Sequence, residues 1–264
     1  MKYIKRFDTE DGYDSYYNSN SFILPNLSLI DELIEVGNEV RFNPDLDGPM
    51  EPDPEPEEPP YDPSNGYEYV DLGLPSGTLW AKCNVGAEKE SDYGLYFAWG
   101  EVEGYSSSQV GYGDGQRPFD GSDYKYASGD MCDGGEITKY KPGLDNLTTL
   151  LPEDDAASVN MGGSWHMPNK EQFEELINSS YTTTTWTTVN GINGRLITSK
   201  TNNNTLFLPA SGGCGWGSVY DIGSHYYYWS SSLYKYPSDA WYLGLTNVYN
   251  YCRFYGHTVR GVME

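Results

Sequence analysis

Residues 220–255 carry ten tyrosines, together with Trp229, Trp241, Phe254 and His225. Only Asp221, Lys235, Asp239 and Arg253 are charged there, and Ser, Asn and Gly fill many of the gaps. Tyrosine offers a large, rigid contact area at low entropy cost, and small polar neighbours add adaptable hydrogen bonds. An ordinary core uses Leu, Ile and Val instead. The stretch 219–262 therefore has the chemistry of a contact surface. Aromatic faces can stack on the C–H faces of sugars while Asn, Asp and Arg bond to hydroxyls, so a glycan is a fitting ligand. Strand alternation places Trp229 and Leu233 on one face and Tyr226, Tyr228 and Ser230 on the other. Trp241, Leu243 and Leu245 point inward, and Asn247, Tyr249, Tyr251, Arg253 and Tyr255 share the exposed parity. The expected ligand-binding residues are Tyr220, Asp221, His225, Tyr226, Tyr228, Tyr234, Tyr236, Asn247, Tyr249, Tyr251, Arg253 and Tyr255. Trp229, Trp241 and residues 259–262 are the expected braces.

Catalytic and metal chemistry find less support. His166, His225 and His257 have neither HExxH nor triad spacing. His166, between Trp165 and Met167, reads as a core residue. Cys83, Cys132, Cys214 and Cys252 form no CxxC pair, so they signal no zinc site and read as free thiols. A calcium-dependent lectin site clusters carboxylate and amide oxygens, and the tyrosine-rich stretch has no Glu-Pro-Asn or Trp-Asn-Asp run. No cofactor is expected. Asp154 with Asp155, or Asp130 with Asp133, could hold a structural calcium, although acids at a helix start usually cap it. No enzyme activity is expected.

The elements that must position this surface are short. In 264 residues the hydrophobic share is only 38 % while aromatics reach 15 %, and 30 glycines accompany 25 tyrosines. Such composition favours strands, turns and loops over helix bundles. The net charge of −23 is concentrated at the start: residues 1–66 hold sixteen acids against four bases, while three of each follow Thr205. A nucleic-acid partner needs a basic face and is not expected. No apolar run approaches the ~20 residues of a membrane span, and the first residues lack the apolar region of a secretory signal. Residues 1–46 read as a small appended module. Residues 47–66 alternate Pro and acid and read as an extended linker, at ~3.1 Å per residue on the order of 60 Å long. Beyond Tyr67, VDLGLPSGTLWAKC reads as strand, turn, strand, and residues 103–135 as a long loop. Residues 152–159 read as one short helix with Pro152 in its first turn. Asn169 and Gln172 form a capping-box pattern ahead of Phe173, Leu176 and Ile177. Residues 186–189 and 194–199 read as a hairpin around residues 190–193, and residues 205–209 as a further strand.

Several of these runs occur together and in order: VDLGLPSGTLWAKCNVGA, YGLYFAWGE, PEDDAASVNMGGSWHMPNKEQFEELI, GINGRLITSK, LFLPASG, YWSSS, AWYL and GHTVRGV. Across residues 67–262 the chain resembles the Fibrobacter succinogenes major paralogous domain, abundant in Bacteroidetes and their phages. The resemblance implies an α+β, C-type-lectin-like fold related to formylglycine-generating enzymes: small mixed sheets, two helices and long loops. That fold also carries the variable proteins of diversity-generating retroelements, in which adenines of a C-terminal segment are mutated. Residues 220–228 and 247–255 consist mostly of types reachable from an Asn codon in that way, Cys252 included. The first 46 residues are similar to leading segments of Bacteroides-phage structural proteins. The expected protein is a virion receptor-binding protein of fibre type, attached to other virion proteins through residues 1–46 as a homotrimer, recognising a bacterial surface receptor or glycan. A bacterial surface or fimbrial-tip-like adhesin is the alternative, and a formylglycine-type enzyme using Cys214 and Cys252 a remoter one.

Overall fold

Short apolar runs broken by Gly, Asn and Pro leave room only for short strands. The computed structural model describes residues 62–111 and 118–264. In chain order its elements are β1 (Tyr69–Asp71), β2 (Leu79–Ala81), β3 (Tyr96–Phe97), β4 (Ala127–Ser128), β5 (Glu136–Ile137), a 3-10 turn (Pro152–Asp154), α1 (Ala156–Met161) and α2 (Lys170–Leu176). There follow β6 (Thr182–Val189), β7 (Ile192–Ser199), β8 (Thr205–Pro209), β9 (Gly213–Gly215), β10 (Ser218–Tyr220), β11 (Tyr228–Leu233), β12 (Asp239–Leu243), β13 (Val248–Cys252), β14 (His257–Thr258) and β15 (Val262–Met263). The described residues thus form five small sheets with two α-helices, an α+β-like arrangement that is mostly β. No helix among them is long and apolar enough to cross a membrane.

The module expected over residues 1–46, and the linker as far as residue 61, lie outside the described residues. Residues 62–66, also read as linker, are folded onto the unit that begins at Pro60. Pro63 O accepts Ser164 N–H at 2.8 Å, Ser64 O accepts the Trp165 indole N–H at 2.7 Å, and Asn65 Nδ2 donates to Met161 O at 2.6 Å.

Local sequence accounts for several elements. Asn169 caps α2, and its side chain and that of Gln172 each accept the other's backbone N–H at 2.8 Å. This is the reciprocal capping box. Phe173 and Leu176 bury the inner face of α2. The β6–β7 hairpin is tighter than the four-residue loop expected, because Asn190 and Gly191 alone turn it, with φ of 52° and 83°. Two left-handed residues match the twist of the flanking strands. The helix expected over residues 152–159 is two pieces. The chain is extended at Asp155, whose carboxylate caps α1 through Ser158 N–H at 2.9 Å and also accepts Met167 N–H at 2.8 Å. Asp154 caps nothing. It is buried and accepts from the hydroxyls of Tyr126 and Tyr140 and from Lys139 and Lys125. Burial raises its pKa, but Lys139, Tyr126 and Tyr140 more than offset this and lower it to about 2.

The central sheet has the order β13-β12-β11-β14-β3, antiparallel except for the β11–β14 pair. It separates two apolar clusters. One contains Trp80, Phe173, Leu206, Leu208, Tyr226, Tyr228, Leu243 and Val248. The other contains Trp99, Trp165, Phe97, Trp229, Ala240 and Phe254. Near the C-terminus, β15 pairs with β2, which also pairs with β1. Arg260, fully buried, donates to Asn84 Oδ1 and to the carbonyls of Ala81, Lys82 and Phe207 at 2.9–3.1 Å.

Candidate ligand-binding surface

The faces expected along β11 are found, with Trp229 and Leu233 in one apolar cluster and Tyr226 and Tyr228 in the other, but both faces are covered. Trp229 pairs with Tyr242 and Leu233 with Ala240, four steps on β11 against two on β12. The two extra residues form a bulge after Trp229, and because their number is even Trp229 and Leu233 stay on the same side. Tyr228, Trp229, Ser230 and Ser231 are all buried, since both faces of β11 lie against other segments. The serines are small because other segments approach their backbone: Ser230 O accepts the Trp99 indole N–H at 2.7 Å, and Ser231 O accepts Leu150 N–H at 3.0 Å.

Three residues expected at the surface are interior. Tyr226 and Tyr228 are fully buried on the side of Leu243 and Val248. The Tyr228 hydroxyl donates to Pro209 O at 3.3 Å and accepts from Asn84 Nδ2 at 3.2 Å. Arg253, one residue beyond β13, has no exposure. Its guanidinium lies 5.0 Å from the Trp99 ring centre and donates to the carbonyls of Lys139 and Tyr140 at 3.1 and 3.3 Å. With no exposed surface, these side chains hold the interior together and are out of reach of a ligand.

The remaining expected residues separate into two groups. Tyr234 and the exposed Tyr236 gather at Trp241, 4.7 Å from Tyr234 between ring centres, with Lys235 and Lys170 over the rings. Trp241 faces opposite to Tyr242 along β12, so this group lies away from the rest. Asn247, Tyr249 and Tyr251 are exposed, and Tyr255 is half-buried. The register of β12 and β13 places Tyr242 opposite Tyr249 and Ala240 opposite Tyr251, on the Trp229 side of the sheet. That side is covered near β14 and β3 and open at β12 and β13.

On the open side the rings form a connected array around two residues missing from the sequence expectation, Tyr227 and Tyr242. Tyr227 lies 5.7 Å from Tyr242, 5.9 Å from Tyr220 and 6.2 Å from the stacked His225. Tyr242 lies 5.9 Å from Tyr249 and 6.2 Å from Tyr251, and Tyr251 lies 4.5 Å from Tyr255. Asp221, exposed and with φ of 59°, accepts the Tyr227 hydroxyl at 2.8 Å and so orients the central ring. The floor is His257. It is fully buried, stacks on Trp229 at 4.0 Å and meets Tyr227, Tyr242 and Tyr251 at 5.0–5.9 Å. Neither of its ring nitrogens has a hydrogen-bond partner, and burial lowers its pKa well below 6.5.

Trp216 also escaped the sequence reading, since it precedes residue 219. With Gly217 it turns the β9–β10 hairpin, and both have positive φ, 54° and 65°. A bulky L-residue in the left-handed region costs about 1–2 kcal/mol. The turn is held by Trp216 N–H bonding to Phe119 O at 3.0 Å, and by Cys214 and Gly256, which exchange backbone bonds. The sequence signal was Gly215-Trp216-Gly217, a tryptophan between turn-forming residues.

The surface is electrically quiet. Burial raises the phenol pKa values of Tyr220, Tyr227 and Tyr242, and burial with a Tyr255 hydrogen bond pushes Tyr251 up to about 12. Neutral hydroxyls are presented at physiological pH. Cys214 is buried, and burial pushes its thiol upward, while Cys252 is held at about 12 chiefly by burial. All four cysteines are free thiols. Among the described residues no group of three or more His, Cys, Asp or Glu side chains could hold a metal ion. Both Asp154 and Asp155 are committed to protein donors, and Asp130 Oδ1 accepts Cys132 N–H at 2.8 Å. The chain matches no protein-family model, no curated protein and no solved structure.

Proposed function

We propose that this chain is a phage virion receptor-binding protein whose C-type-lectin-like domain recognises a bacterial surface ligand, a glycan by preference, through its aromatic array. The observation that carries this reading is the open face of β12 and β13, where Tyr242, Tyr249 and Tyr251 stand over a buried Trp229–His257 base. A rigid floor under exposed tyrosines is the arrangement expected of a preorganised contact surface. Small mixed sheets, two helices and long loops agree with what the family resemblance implies.

On this reading, residue exchange is confined to accessible positions: Asp221, His225, Asn247, Tyr249, Tyr251 and Tyr255. Tyr226, Tyr228 and Arg253 stay constant because each is fully buried among fixed partners. The test is binding of labelled protein to host bacterial cells. Changing Tyr249 and Tyr251 together to Ala is expected to weaken binding about 10- to 100-fold, as for two hot-spot tyrosines. Both are about two-fifths exposed, so the melting temperature should hardly move. Undiminished cell binding by that variant sinks the reading.

A further inference from the structure

Trp216 stands against its own backbone preference in a place where the fold gains little from the ring. Trp216 is 43 % exposed, and its ring meets Phe254 edge-on at 5.6 Å. Its Nε1–H donates to the Tyr255 hydroxyl at 2.9 Å, which ties the indole to the aromatic array through Tyr255 and Tyr251. Asn or Gly at the first position of such a turn would relieve the backbone at no steric cost. A strained conformation kept at an exposed position is the pattern of ligand-contact residues.

The charges around the array narrow the ligand further. Lys170 and Lys235 serve the separate Trp241 group, and the Arg253 guanidinium is buried against carbonyls. Asp221 is the acid in contact with the array, through the Tyr227 hydroxyl. An anionic ligand would meet rings and an acid here, while Lys170, Lys235 and Arg253 are engaged elsewhere.

We propose that Trp216 is a constant contact residue of this surface, and that its exposed indole face receives the C–H face of a neutral hexopyranose. The proposal rests on the reading of the array as the binding surface. It makes Trp216 a fixed anchor beside exchangeable tyrosines, so that ligands of different variants share one stacked ring.

The test uses the full chain in affinity electrophoresis through a mannan, a β-glucan, a galactan and, as the acidic arm, polygalacturonate. Retardation by at least one neutral polymer and none by polygalacturonate is expected. Trp216→Asn and Trp216→Gly should each weaken retardation about tenfold, with melting temperatures equal to or above the parent's. Trp216→Phe, which keeps a ring, should retain most of it. Retardation unchanged in the Asn and Gly variants but lost on changing Tyr249 and Tyr251 to Ala overturns the role of Trp216 and leaves the surface standing. Retardation unchanged in the double tyrosine variant overturns the surface itself. Binding lost together with a fall of more than about 5 °C in melting temperature makes Trp216 a packing residue. Retardation by polygalacturonate, or by no neutral polymer, overturns the ligand class.

Discussion

His257 shows how much one side chain's surroundings decide. A histidine on a tyrosine-rich segment would ordinarily be read as part of the display. Here it is enclosed by Trp229, Tyr227, Tyr242 and Tyr251 with no charged partner among these rings. Its folded pKa lies well below 6.5, so on acidification the unfolded chain takes up the proton first. Stability is therefore lost as pH falls below about 6.5, by up to about 1.4 kcal/mol per pH unit. Asp154 acts in a lower window. Its pKa is lowered from 3.8 to about 2, so its contribution is present above pH 3.8 and is lost as pH falls toward 2. Urea unfolding at pH 7, 6, 5 and 4 should show His257→Phe with a flatter acid dependence than the parent. Parallel curves for the two proteins would assign that slope to another group.

Elements here are too short to be stable through their own propensity, so their ends and interruptions matter more than their middles. Helix α2 has seven residues, and its start depends on the Asn169–Gln172 box. Asn169→Ala should cost about 1 kcal/mol and lower the melting temperature by about 2–4 °C. Thermal unfolding followed by circular dichroism measures this, and an unchanged midpoint would mean that burial of Phe173 and Leu176 alone holds the helix. The bulge in β11 is the interruption with the largest consequence for the surface. It turns the backbone of Ser230 and Ser231 toward Trp99 and Leu150, and leaves display to β12, β13 and the turns beside them. A parity count assigns faces but not exposure, and both faces of β11 are covered.

At the scale of the molecule, the folded unit extends earlier than the change in composition suggests. The turn at residues 62–66 satisfies the Trp165 indole N–H and the Ser164 amide, both next to α1. Loss of a partner for a buried donor costs about 1–3 kcal/mol. A chain beginning at residue 67 should therefore melt several degrees below one beginning at residue 60. Differential scanning calorimetry of the two truncations decides this, and equal midpoints would mean that the turn adds nothing to the domain.

Some of this protein was already determined by sequence alone. The hairpin of β6 and β7, though not its two-residue turn, the α2 cap, strand β8 and the small-sheet character follow from local chemistry, because turn and cap geometry is satisfied by residues a few positions apart. Trp229 was legible as interior from its strand parity with Leu233. The aromatic surface was legible as composition, as a stretch rich in tyrosine. Which tyrosines face outward was decided only by tertiary structure. Tyr228 is claimed by Pro209 and Asn84, and Arg253 by carbonyls 113 and 114 residues earlier in the chain. Tyr227, Tyr242, His257 and Trp216 join the array through the pairing of β11, β12, β13 and β14 and a hairpin outside the stretch. Hydrogen bonds between distant segments leave no periodic trace in sequence, and they divide otherwise similar tyrosines into core and surface.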